Sequence, residues 1–270
     1  MTPVRPGLVL HGWPGTDHTY LRAPPTADGG VPAGGLDLLR TLLHLHYVDQ
    51  PGHGPRGTSH TDGPATMEGY ARNAALEAAA LHPDPVVVLG HFHGAGVAQE
   101  LAVRHPDRVE ALVLIAATPG ELGSTEDLAD TFAANIRPPE AEILQRVPPE
   151  SDPELAATMG ALESFFFADR AHAPTVSVFD GTEFSSSASV AWTQALNSWS
   201  TVDRLAQVAA PTLLVTGRHD VFAPPEEAQR IARRIPGSEL VVLEGSGHLP
   251  WIEEPGPFVA TVTDWLAANP

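Results

Sequence analysis

The chain has 270 residues, 43% of them hydrophobic, enough to bury one sizeable core in a single domain. Its 15 basic residues, all arginine, stand against 33 acidic ones, and the formal net charge of −18 argues against nucleic acid and anionic membrane as partners. Without lysine there is no Schiff-base chemistry and no P-loop lysine; without cysteine there are no thiolate nucleophiles, disulfides or thiolate metal sites.

In chain order, Leu8 to His11 reads as a first buried strand and runs into His11-Gly12-Trp13-Pro14-Gly15. His44 to Asp49 reads as a second, leading into Asp49-Gln50-Pro51-Gly52-His53-Gly54. A helical pattern covers Thr66 to Ala80, and Val86 to Gly90 follows as a strand whose unbroken apolar run suits burial on both faces. Gly94 to His105 reads as a helix with Val97, Leu101 and Arg104 on one face, stopped by His105-Pro106. Ala111 to Ala116 is a fourth strand. After Thr212 to Thr216, Pro225 to Ile235, Leu240 to Leu243 and Pro257 to Ala268, the alternation of strand and helix predicts a mostly parallel α/β sheet.

From about Glu121 to Gln207 that rhythm breaks. Helical pieces at Thr125 to Asn135, Glu140 to Arg146, Pro153 to Asp169 and Ser187 to Asn197 follow one another without a convincing strand. The expected organisation is therefore a core of residues 1–120 and 208–270 with a helical cap at 121–207. Its rings, Phe165, Phe166, Phe167, Trp192 and Trp199, either line a pocket or seat the cap on the body. No apolar run approaches the roughly 18 residues of a membrane span, and no signal-like segment opens the sequence, so a cytoplasmic protein is expected.

Four loops at strand C-terminal ends carry the chemistry: His11 to Gly15, Gly90-His91-Phe92-His93-Gly94, Gly217-Arg218-His219-Asp220, and Gly245-Ser246-Gly247-His248. That edge of an open parallel sheet is where ligands bind. On these residues, in this order along nearly the whole chain, the sequence resembles the α/β-hydrolase superfamily. HGWPG followed by DQPGHG is similar to its proline-iminopeptidase-like branch. The resemblance implies an α/β-hydrolase fold with a helical cap and, since members usually begin with a β-hairpin that Met1 to Gly7 cannot supply, a shortened N-terminal edge. A homodimer through that edge is one expectation.

The family's elbow is G-x-S-x-G, and here its nucleophile position is Phe92, a ring with no lone pair to attack a carbonyl. Ser59, Ser246 and Ser185 to Ser189 fall outside the turn. The resemblance assigns the base to His248, its orienting acid to Asp220, and the oxyanion donors to the backbone N–H groups of Trp13 and His93. Glu121 is a substitute acid. His93 borders the pocket as a second acid or base, while His91 reads as a core residue. Gln50 either binds a polar group of the substrate or braces its loop; Trp192 and Phe166 are further substrate contacts. The H-x-H pairs His91-Phe92-His93 and His44-Leu45-His46 lack a third ligand at metal spacing, so no metal and no cofactor is expected. Arg218-His219 and Glu253-Glu254 read as helix-start or solvated surface features.

Phe92 either merely packs where the fold needs the elbow's shape, or shapes a pocket for chemistry without a covalent intermediate. The first expectation is acid/base chemistry of lyase, isomerase or cyclase type by His248 and Asp220 on a small hydrophobic carbonyl compound, as in specialised metabolism. The alternatives are a hydrolase in which His248 activates water on an ester, lactone or amide, and a non-catalytic binding module.

Overall fold

The computed structural model of the chain describes residues 4–22, 35–56, 65–120, 149–169, 177–197 and 199–270. Six strands form one sheet in the order β2-β1-β3-β4-β5-β6, with every pairing parallel. They are β1 (Arg5–Leu10), β2 (Leu43–Val48), β3 (Val86–His91), β4 (Val109–Ile115), β5 (Thr212–Gly217) and β6 (Glu239–Leu243). All six coincide with the strands expected from the sequence. β1 lies between β2 and β3, so the chain reverses direction of travel across the sheet there, and the loops after β1 and β3 meet at that switch point.

The unbroken apolar runs have a simple cause. Successive strand residues point to opposite faces: Val87 and Leu89 of β3 join one buried cluster, Val86 and Val88 the other. Helices α1 (Met67–Leu81) and α2 (His93–Arg104) cover the second face. α1 starts where Thr66 caps it, its hydroxyl accepting from the Gly69 amide at 3.0 Å. α2 ends at Arg104, ahead of Pro106, as expected.

Between β4 and β5 the described residues form α3 (Asp152–Leu162), a 3-10 turn at Glu163–Phe166, and α4 (Ser186–Asn197). The helix expected over Pro153 to Asp169 is thus shorter: its α-helical part stops at Leu162, and Phe167 to Asp169 leave helical geometry to run against the His248 loop. The expected helices at Thr125 to Asn135 and Glu140 to Arg146, together with Glu121 and Ser59, lie outside the described residues. The chain closes with α5 (Pro225–Ala232), α6 (Pro250–Glu253) and α7 (Pro255–Ala268).

α5 ends three residues before the expected Ile235. Among the described residues β2 is the outermost strand on its side. No described helix is long and apolar enough to cross a membrane.

Candidate active site

β3 delivers Phe92 into a sharp turn before α2, with φ 51° and ψ −111°. For a bulky residue this backbone costs about 1–3 kcal/mol and persists only where the surroundings impose it. Here they do. The Phe92 amide donates to Ile115 O at 2.9 Å, and its carbonyl accepts from Ala95 N at 3.0 Å. The flanking glycines permit the closure: a Cβ on Gly90 would lie 2.5 Å from Gly94 O, and one on Gly94 would collide with the Leu10 carbonyl.

Phe92 is only 5% exposed. Its ring stacks on His93 at 4.0 Å and 23°, and meets His248 edge-on at 4.8 Å and 86°. Trp13, Phe166 and Phe222 complete an aromatic wall around His248, at 5.6, 5.6 and 5.2 Å from its ring.

The loops after β5 and β6 bring Asp220 and His248 together. Asp220 Oδ2 lies 2.8 Å from His248 Nδ1, and both side chains are fully buried. Asp220 Oδ1 accepts from the Phe222 and Ala223 amides at 2.8 and 2.9 Å, which fixes the carboxylate. An ionised carboxylate only accepts, so the ring proton sits on Nδ1 and the lone pair on Nε2. That Nε2 has no hydrogen-bond partner. The arrangement can take a proton at Nε2 and stabilise the resulting imidazolium.

The His248 loop is tied down by residues that sequence reasoning placed at the surface. Glu253 accepts from Gly247 N at 2.6 Å and from Ala168 N at 2.7 Å, while Glu254 accepts from Gly245 N at 2.9 Å and the Ser246 hydroxyl at 2.6 Å. The His248 amide itself donates to Phe166 O at 2.8 Å. Glu253 and Glu254 are therefore braces rather than solvated helix-start residues. Burial raises the Glu253 carboxyl above its ordinary range, with the two amides acting in the opposite direction. Arg218 is at the surface as expected, paired with Glu244 at 2.6 Å.

His91 is the core residue anticipated. Its Nδ1 lies 2.8 Å from the Tyr20 hydroxyl and its Nε2 3.2 Å from His248 O. Tyr20, which nothing in the sequence singled out, also accepts from the Gly12 amide at 2.7 Å, and the Trp13 amide approaches the same hydroxyl. The two expected oxyanion donors thus differ: Trp13 N–H lies near the Tyr20 hydroxyl, whereas His93 N–H opens α2 and has no acceptor within the helix. Burial first, and then the proximity of His248, push the His93 ring down to about 3, so it is neutral near pH 7.

Gln50 is buried against His11, donating its backbone N–H to His11 Nε2 at 3.1 Å and its side-chain amide to His11 O at 2.8 Å. It braces the loops after β1 and β2, and its Oε1 has no partner. Phe166 reaches the His248 side of the turn. Trp192, on α4, packs instead 6.1 Å from His93 and 4.3 Å from Tyr70. Ser246 gives its hydroxyl to Glu254, and the Ser185 hydroxyl accepts from the Ala188 amide at 3.2 Å beside the start of α4, so neither replaces a nucleophile at the turn. Among the described residues no group of three or more His, Asp or Glu is arranged to hold a metal ion.

Comparison with known proteins places this geometry. Residues 8–261 match the alpha/beta hydrolase family. A pimeloyl-[acyl-carrier protein] methyl ester esterase of Neisseria meningitidis is 27% identical over 278 residues, covering 97% of this chain and 77% of that protein. Among solved structures, an esterase from Exiguobacterium antarcticum superposes with a TM-score of 0.69 at 22% identity, covering 99% of this chain and 93% of that one. A proline iminopeptidase from Mycobacterium smegmatis gives 0.67 at 24%, covering 98% and 90%. The sheet, the turn at Phe92 and the family match over nearly the whole sequence agree: this chain belongs to the alpha/beta hydrolase family.

Proposed function

We propose that the protein hydrolyses a carboxylic ester by direct attack of water, with His248 as general base and Asp220 holding it. The observation that carries this reading is the buried Asp220–His248 pair at 2.8 Å with its Nε2 unpartnered beside a residue that cannot be a nucleophile. Phe92 stands where the family resemblance expects serine. The esterase-named relatives favour hydrolysis over the lyase, isomerase or cyclase chemistry that the missing serine first brings to mind.

In the proposed step, water donates a proton to His248 Nε2 as its oxygen bonds to the ester carbonyl carbon. The carbonyl oxygen becomes an oxyanion and is received by the His93 N–H and by the Trp13 N–H, which lies near the Tyr20 hydroxyl. Collapse re-forms the carbonyl and breaks the bond to the alkoxy oxygen, which takes the proton from the imidazolium and leaves as alcohol. No acyl-enzyme forms. The cost is loss of the tethered nucleophile's effective molarity, so turnover is slow by the standards of a serine esterase. The aromatic wall of Trp13, Phe92, Phe166 and Phe222 favours an apolar acyl or alkyl group.

The test is hydrolysis of p-nitrophenyl butyrate in 18O-labelled water. The expected result is one label in butyrate from a single turnover, no burst of nitrophenol, and a loss of about 100-fold or more in His248→Ala. Activity unchanged in His248→Ala overturns the reading. Absence of any turnover on a panel of esters, with tight binding of an ester unaffected by His248→Ala, supports instead a non-catalytic binding module.

A further inference from the structure

Across the Phe92–His93 turn from His248 lies a second set of buried polar groups that the proposed reaction does not use. His11, Gln50, Tyr70, His93 and Trp192 are each at most 9% exposed, and each carries a side-chain polar atom without a partner: His11 Nδ1, Gln50 Oε1, the Tyr70 hydroxyl, His93 Nδ1 and the Trp192 indole N–H. They are contiguous. The Trp192 ring lies 4.3 Å from Tyr70, 6.1 Å from His93 and 6.4 Å from His11, and two hydrogen bonds join Gln50 to His11. Tyr70 and Trp192 belong to the packed cluster of α1 and α2, whereas Phe92, Phe166 and Phe222 belong to the cluster on the opposite face.

A buried polar atom left unpaired costs about 1–3 kcal/mol, and native folds hold few of them. Five such atoms in one cluster, the indole N–H among them, point to a common partner. Its chemistry can be read from the groups themselves. His11 Nε2 accepts from Gln50 N, and burial keeps the His11 ring neutral, so Nδ1 carries the proton and is a donor. Gln50 Nε2 donates to His11 O, leaving Oε1 as an acceptor. The indole N–H only donates, and the Tyr70 hydroxyl does either. The cluster thus offers two fixed donors, one fixed acceptor and no full charge.

We propose that this cluster is a binding site for a small neutral carboxamide, whose carbonyl matches the His11 and Trp192 donors and whose N–H matches Gln50 Oε1. A carboxylate has no hydrogen to give Gln50 Oε1; the His53 ring, 5.0 Å from His11 and 5.4 Å from Trp192, turns its Nδ1 to Pro51 O at 3.1 Å. The proposal is independent of what His248 does and would hold for a catalytic or a non-catalytic protein.

The experiment is titration of the 15N-labelled full chain with butyramide, and separately with butyrate, following the indole N–H resonances; Trp192→Phe identifies the one that belongs to Trp192. Butyramide is expected to move that resonance saturably with a dissociation constant in the millimolar range, while butyrate leaves it in place. Tyr70→Phe removes only an unpartnered hydroxyl, so the fold is retained; butyramide affinity should fall about three- to tenfold, as it should in Gln50→Leu. A Trp192 signal unmoved by butyramide, or showing contact with bound water alone, overturns the proposal. So does an equal response to butyrate, or an affinity unchanged in both variants.

Discussion

Replacing Phe92 with serine restores a hydroxyl at a turn whose backbone is already bent for one. The φ of 51° and the contacts of Gly90 and Gly94 are independent of the side chain, so the turn has no need to move. The ring that is lost is 5% exposed and packs against Trp13, His93, His248 and Phe222. Truncating such a phenylalanine costs about 3–5 kcal/mol. The new hydroxyl recovers about 1 kcal/mol by donating to His248 Nε2, which lacks a partner. At about 2–4 °C per kcal/mol for a chain of this size, Tm should fall by roughly 4–16 °C. The assay is intact-mass labelling by a fluorophosphonate of the unaltered protein and of Phe92→Ser, with p-nitrophenyl butyrate turnover alongside. The expected result is one label on the variant, none on the unaltered chain, and a nitrophenol burst that only the variant shows. Labelling of the unaltered chain would refute the argument, because it would mean that another serine is activated. A folded variant that takes no label would show that His248 and the amides are not assembled for acyl transfer.

Three further outcomes follow from the same geometry. His11, His91 and His93 are buried and held below their ordinary pKa mainly by desolvation, His93 to about 3; the unfolded chain therefore binds more protons below pH 6.5, and stability should fall as pH drops through that value, by at most about 4 kcal/mol per pH unit for three histidines. Denaturant midpoints from pH 8 to 5 measure it, and midpoints that stay flat or rise on acidification would contradict the burial. Glu253→Ala removes the acceptor of Gly247 N and Ala168 N, so hydrolysis should drop about tenfold or more through kcat, with Glu253→Gln intermediate; unchanged kcat in both would reduce Glu253 to a bystander. Asp220→Asn leaves His248 buried but frees the choice of tautomer, and turnover should fall by about 100-fold or more while Tyr20 and His91 keep their bonds; a variant as active as the parent would remove Asp220 from the reaction.

The sheet was legible because its strands are short apolar runs bounded by turn residues, and Val86 to Leu89 could hardly be anything but a strand covered on both sides. The pairing of Asp220 with His248 was legible through family resemblance alone, since the chain between them, which separates them by 28 positions, carries no local sign of it. Glu253 and Glu254 escaped because two acids before a proline read as a helix start, and the groups they hold are backbone amides, which have no signature in a sequence. Tyr20 escaped for a similar reason: a single ring in a loop with no periodicity shows nothing of the amide and the imidazole that meet at its hydroxyl. Phe166 and Trp192 were both read as substrate contacts, yet the turn at Phe92 separates them, one beside His248 and the other behind His93. They join different buried clusters, one on each face of the sheet, a division that only the fold makes.

The stretch Phe166–Ala168 is fastened to the His248 loop at two points, by the His248 amide on Phe166 O and by Glu253 bridging Ala168 N and Gly247 N. Cover and base are therefore one mechanical piece at this seam. Anything that pulled Phe166–Ala168 away from the sheet would draw the His248 loop with it and so tend to move the imidazole off the Asp220 carboxylate. A disturbance that loosens this seam should be felt as a misplaced imidazole before it is felt as a wider door.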